Sequence, residues 1–208
     1  MSDSTMSYST LSPISGKLRD ELVRAYTAPD RHYHNLAHIE TLLGLMRTHE
    51  RALSDPASLE AAIWFHDAVY DTRRHDNEER SAQLAAERLN GLLSPDRIDR
   101  IATMIRATAG HVVPERFDDA GRRDCALFLD MDLGVLGSTP DAFAAYEDAV
   151  RREYAWVPDA LWIEGRRKVL QGFLARPTIF ASPQFRASHE AAARRNLTRS
   201  LEQLAQQL

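Results

Sequence analysis

Apolar residues recur at helical spacing along most of the chain, and no stretch sustains the period-two alternation of a half-buried strand. The pattern predicts a first helix from Ser15 to Tyr26, stopped before Pro29, and a second capped by Asn35 with Leu42, Leu45 and Met46 as its apolar stripe. A third is expected from Pro56 to Val69 behind Ser54 or Asp55. Others are expected over Asn77–Leu89 and over Pro95–Ala109, the latter opened by Ser94 and a first-turn proline. A short helix is expected around Cys125–Leu133, and longer ones over Pro140–Tyr154, Pro158–Leu174 and Pro183–Leu204. Gly91, Gly110 and Pro177 punctuate the joints. The predicted architecture is all-α: one compact helical domain over residues 15–208, behind a flexible Ser/Thr-rich tail at residues 1–14.

Composition narrows the class. The 208 residues are 44% hydrophobic and 27% charged, the balance of a soluble globular domain. No apolar run reaches the roughly 20 residues that span a bilayer, and the tail lacks a signal-peptide core, so a cytoplasmic, membrane-free protein is expected. Net charge is −4 with a pI near 6.1, and the basic residues are scattered, which argues against dedicated nucleic-acid binding. The single cysteine, Cys125, has the apolar neighbours Ala126, Leu127 and Phe128 and reads as a core thiol.

Candidate chemistry sits in three places where polar groups interrupt apolar faces. In Arg31-His32-Tyr33-His34-Asn35-Leu36-Ala37-His38, His38 shares its stripe with Leu42 and Leu45 and so points inward. In Ile63-Trp64-Phe65-His66-Asp67, the run Leu59, Ile63, Asp67 turns the carboxylate inward, where a lone charge is costly unless a cation compensates it. In Leu127-Phe128-Leu129-Asp130-Met131-Asp132-Leu133, two carboxylates fall about 200° apart on a helix. One is expected to face the site and the other a surface or an arginine; periodicity does not choose. Singly, His38 reads as a core histidine and His66-Asp67 as a helix-end pair. Together they offer nitrogen and oxygen donors for one divalent ion, Mn, Fe, Co, Ni, Zn or Mg.

In order and spacing these segments resemble the HD superfamily of metal-dependent phosphohydrolases, whose signature is His, then His-Asp, then a distant Asp. The likeness is closest to a poorly characterised branch with Arg-His-Tyr-His-Asn, Phe-His-Asp-x-Val-Tyr-Asp, Asn-Glu-Glu-x-Ser-Ala and Asp-x-Asp-Leu, and it spans about residues 31–137. The resemblance implies His38, His66, Asp67 and Asp132 as metal ligands, preferring Asp132 over Asp130, with His34 behind them orienting a ligand or donating to substrate. The run from His66 to Thr72 is also similar to that of the stringent-response alarmone hydrolases, but Tyr70 stands where they carry a Glu. Only Asp71 is left there as a catalytic base, with a helix-end or loop carboxylate as its alternative. Some relatives use extra histidines to hold two metals, and Asn77 stands at one such position.

The expected activity is hydrolysis of a phosphate ester or anhydride in a small, nucleotide-like molecule. Arg31, Arg73, Arg106 and His111 are the candidates for holding phosphate, with a loop position as the plainer reading of His111. A metal- or nucleotide-binding sensor and a di-iron oxygenase are the competing readings, and a homodimer is a possible assembly.

Overall fold

A computed structural model describes residues 12–206, of which the helices begin at Gly16. The described residues form nine α-helices and no strand. They are α1 (Gly16–Tyr26), α2 (Leu36–His49), α3 (Pro56–Phe65), α4 (Asn77–Leu89), α5 (Pro95–Ala107), α6 (Asp119–Asp132), α7 (Pro140–Glu153), α8 (Asp159–Leu174) and α9 (Pro183–Ala205). The expected all-α class holds, and none of these helices is long and apolar enough to cross a membrane.

α3 is the axis of the packing. Eight of its residues, including Leu59, Ile63, Trp64 and Phe65, are buried, as a helix apolar on all sides must be. α2, α4, α5 and α6 surround it, and α4 pairs with α5. The C-terminal third forms an α8–α9 pair, joined to the rest by a 3₁₀ turn over Leu133–Gly137 that packs on α7 and α9. Cys125 lies fully buried in α6, and burial pushes its thiol up to about 12, as expected of a core cysteine.

Local chemistry explains where elements begin and end. Asp55 caps α3 through the Ser58 N–H, and Asp118 caps α6 through the Gly121 N–H. α6 therefore starts six residues before Cys125, over polar turns that carry little apolar signal. α3 stops at Phe65 rather than Val69. The Ala68 N–H returns to the Phe65 carbonyl, and Arg31 takes the carbonyls of Asp67 and Ala68, which otherwise lack partners. α5 likewise ends at Ala107 instead of Ala109. Residues 1–11 of the expected tail lie outside the described residues, but its inner end packs. Ile14 is 3% exposed and the Ser12 hydroxyl donates to Glu60 at 2.7 Å.

Candidate metal centre

Three helix ends bring the site together: the start of α2 and the ends of α3 and α6. At the first, the Asn35 carboxamide oxygen accepts the N–H groups of Ala37 and His38 at 3.0 and 3.3 Å. Its amide donates to the His32 carbonyl. This cap sets the rotation of the first turn and turns His38 inward, 7% exposed. His66 and Asp67 occupy the turn after α3. Arg31 pins that turn, donating to the carbonyls of His34 at 2.9 Å, Asp67 at 2.7 Å and Ala68 at 3.2 Å.

At the end of α6 the two aspartates part company. Asp132 reaches His38 and His66, while Asp130 is 1% exposed and accepts the Ala181 and Ser182 N–H groups at 2.7 and 2.6 Å. The expectation that the second carboxylate would meet a surface or an arginine is corrected: it meets the backbone that leads into α9. Those amides came from about fifty residues away, beyond any local pattern.

The cluster is tight. His38 Nε2 and His66 Nε2 lie 3.3 Å apart. Asp67 Oδ2 is 3.0 Å from His66 Nε2, and Asp132 Oδ1 is 3.1 Å from His38 Nε2 and 3.6 Å from His66 Nε2. His66 Nδ1 faces the Ile63 carbonyl at 2.9 Å, and a carbonyl only accepts, so Nδ1 carries the proton. A neutral His66 then presents a bare lone pair to the Asp67 oxygen. Whichever tautomer His38 adopts, that pair repels unless a proton or a cation stands between. Burial disfavours the imidazolium of His66, but Asp67 and Asp132 overcome it and hold its pKa well above the ordinary value. Burial likewise raises the two carboxylates, and the opposing pull of His66 leaves both below their usual range. Donor atoms of His38, His66 and Asp67 lie within 4.8 Å of one another with Asp132 beside both imidazoles, and nitrogen and oxygen donors of this kind suit a borderline divalent ion, which would remove the conflict.

The remaining candidates divide. His111 Nε2 lies 2.9 Å from Asp132 Oδ2, so this loop histidine reaches the cluster. Its φ of 48° is uncommon outside glycine. Arg176 secures the turn through the carbonyls of Gly110 and His111 at 2.8 and 3.3 Å. His34 Nδ1 is 2.7 Å from Glu153 Oε2, and its ring stacks on Tyr70 with centroids 4.3 Å apart. Arg31 is committed to carbonyls, Arg106 forms a two-point pair with exposed Glu79, and Arg73 lies over the Trp156 ring. Asp71 is exposed and accepts the Arg73 N–H at 2.9 Å. Asn77 spends both ends of its carboxamide on the Asp71 backbone.

One important residue carried no sequence signal. Glu153, the last residue of α7, is 7% exposed. Its Oε1 accepts the N–H groups of His32, Tyr33 and His34 at 2.7–2.9 Å, and its Oε2 accepts the Tyr70 hydroxyl at 2.9 Å beside His34. Although burial opposes ionisation, His34 and these amides hold Glu153 down at about 2. For His34, burial lowers the pKa, and the bond to Glu153 with the nearby carboxylates more than restores it, leaving the group above its ordinary value.

Fold and site together define the class as far as geometry takes it: an all-α protein with two buried histidines and two part-buried aspartates in one cluster, backed by a His–Glu pair. No family model, no curated protein and no solved structure matches the chain.

Proposed function

We propose that this protein is a metal-dependent phosphohydrolase of the HD type, with His38, His66, Asp67 and Asp132 holding one divalent ion. The observation that carries the reading is the convergence of His66 Nε2, with its Nδ1 held on the Ile63 carbonyl, on the Asp67 carboxylate at 3.0 Å beside His38 Nε2. A folded chain tolerates that approach only with a cation or an extra proton in place. When bound, such an ion lowers the pKa of its water and polarises a phosphoryl oxygen.

The chain's own groups supply the rest. Glu153 accepts the Nδ1 proton of His34 and so fixes the tautomer, orientation and charge of that ring. An imidazolium in this place donates its Nε2 proton to the oxygen leaving phosphorus, as water's oxygen bonds to phosphorus and the ester P–O bond breaks. Tyr70 stacks on His34 and bonds the same carboxylate, which keeps the ring from turning away. The His34 ring, 6.2 Å from that of His38 and held by Glu153, supports a proton-handling role for His34; Asp71 has that role by resemblance alone. Asn77, turned to the Asp71 backbone, favours one ion over the two irons of an oxygenase.

Elemental analysis of the purified protein beside His66→Ala tests the site. About one divalent transition ion per chain is expected, absent from the folded variant. Phosphate release from a panel of esters and anhydrides should then depend on that ion and vanish in Asp67→Ala. No ion after incubation with Mn, Co and Ni refutes the metal reading. A bound ion with saturable nucleotide binding and no turnover makes the protein a sensor.

A further inference from the structure

A groove of about 640 Å³ runs between α2 and α7, floored by the end of α6, and two of the four clustered residues, His38 and Asp132, form part of its lining. Its size suits a small-molecule ligand. Leu42, Leu45, Val135, Ala142, Ala145 and Tyr146 make it chiefly apolar. Tyr33 adds a second ring, 5.0 Å from His38 and packed edge-on to Tyr146 at 4.6 Å, so an aromatic wall leads up to the cluster. Among the described residues no lysine or arginine lines this groove.

The basic residues near the cluster are already engaged. Arg31 serves three carbonyls, Arg176 two more, and Arg106 pairs with Glu79. Each additional phosphate on a substrate brings charge that needs a partner, and this groove offers no guanidinium or ammonium, only the imidazoles of His32 and His189 outside the cluster. A larger cavity of about 790 Å³ does contain Arg122, Arg123 and Arg176, and it reaches His111. None of the four clustered residues lines it, so it does not present a phosphorus atom to them.

Resting on the hydrolase reading above, we infer that the groove is the leaving-group site and that the substrate is a phosphomonoester of an uncharged, largely apolar alcohol. The single phosphate meets the ion where His38 and Asp132 open into the groove, and the alcohol lies along Leu45, Ala145 and Tyr146, where burial of its apolar surface contributes the selectivity. Hydrolysis consumes one water: its oxygen ends on phosphorus, one hydrogen on the released alcohol and the other on the phosphate. Triphosphates, bisphosphates and pyrophosphate are disfavoured because their further charges stay unpaired.

The test pairs turnover with binding on the metal-loaded full chain. For turnover, kcat/KM for 1-naphthyl phosphate should exceed that for ATP and for a sugar bisphosphate by about 100-fold. For binding, calorimetry compares 1-naphthylmethylphosphonate with methylphosphonate. Ala145→Trp, an exposed helical position that tolerates a large side chain, should cut the ratio of the two affinities roughly tenfold. Arg123→Ala should leave that ratio unchanged. Preference for the polyphosphates, or an affinity ratio blind to Ala145→Trp, overturns the inference while leaving the hydrolase standing. Aryl phosphonate binding without hydrolysis of any ester does the reverse: the apolar site stands and the hydrolase reading falls.

Discussion

Asp130 and Asp132 stand two residues apart at the end of α6, inside the same apolar run, yet meet opposite surroundings. Both oxygens of Asp130 receive a backbone N–H, at 2.7 and 2.6 Å. Asp124, one and a half turns earlier, is treated the same way by the N–H groups of Ser54 and Asp55, both at 2.9 Å. Asp132 instead faces the imidazoles of His38, His66 and His111. The first two carboxylates are complete as they stand and join segments of the fold. The third faces imidazole nitrogens, which present a proton or a lone pair according to tautomer and charge, so its completion depends on their protonation or on an added ion. Whether the partners of such a carboxylate are fixed backbone donors or imidazoles that can themselves bind a cation is what separates a structural group from a candidate ligand.

That contrast can be broken by experiment, and the largest effect belongs to Asp132. Asp132→Asn should remove the ion and lower phosphate release by about 1000-fold or more, as expected when several kcal/mol of charge stabilisation is lost. The metal-free variant should melt close to the metal-free parent. Retention of the ion, read by elemental analysis, would make Asp132 no different in kind from Asp130.

Glu153 comes next, because it is a structural anion that also sets the state of His34. Glu153→Gln places an amide against the five donors the carboxylate now satisfies and should cost about 3–5 kcal/mol in denaturant unfolding. The pH dependence has a definite sign. Glu153 is depressed from 4.5 to about 2, so its contribution is complete above 4.5 and is lost as the pH falls. His34 is raised above 6.5, so its contribution is complete below 6.5 and fades as the pH rises through the folded value. The gap between parent and variant should therefore be widest from pH 4.5 to 6.5. An NMR titration of His34 should show its pKa falling in the variant. An unmoved titration would remove Glu153 as the group that charges the ring.

The smallest effect is expected from Asp130→Asn. It leaves one backbone N–H facing an amide nitrogen and should cost about 1–3 kcal/mol of stability. Metal content and turnover should stay at parental levels. Loss of the ion in this variant, with the fold intact, would erase the distinction between the two aspartates.

Much of the site was readable along the chain. The stripe of His38 with Leu42 placed that imidazole inside, and Asn35 announced the cap that sets its rotation; the structure has both. His38, His66 and Asp67 come from two of the three polar interruptions of apolar segments, and their donor atoms lie within 4.8 Å of one another. Asp67 was read as inward on the assumption of a helix to Val69. It is inward for another reason, the turn that Arg31 holds. Arg31 and Arg106 looked like phosphate binders by nearness in sequence, but nearness says nothing of the carbonyls and the Glu79 carboxylate that occupy them.

The two kinds of information divide along a physical line. Helix class, the Asn35 and Asp55 caps and the inward side of His38 depend on groups within a turn or two of one another, whereas Ser15 and Ser94 precede their helices without a side-chain cap bond. The residue order and elementary hydrogen bonding therefore settled the former. Which carboxylate is complete, which arginine is free and which acid charges His34 depend on partners brought from far along the chain. Ala181 and Ser182 come to Asp130, and Glu153 comes to His34 across 119 residues. A buried charge is governed by whatever surrounds it in space, because the interior offers no water to make up a missing partner. Only the packed structure could assign those roles.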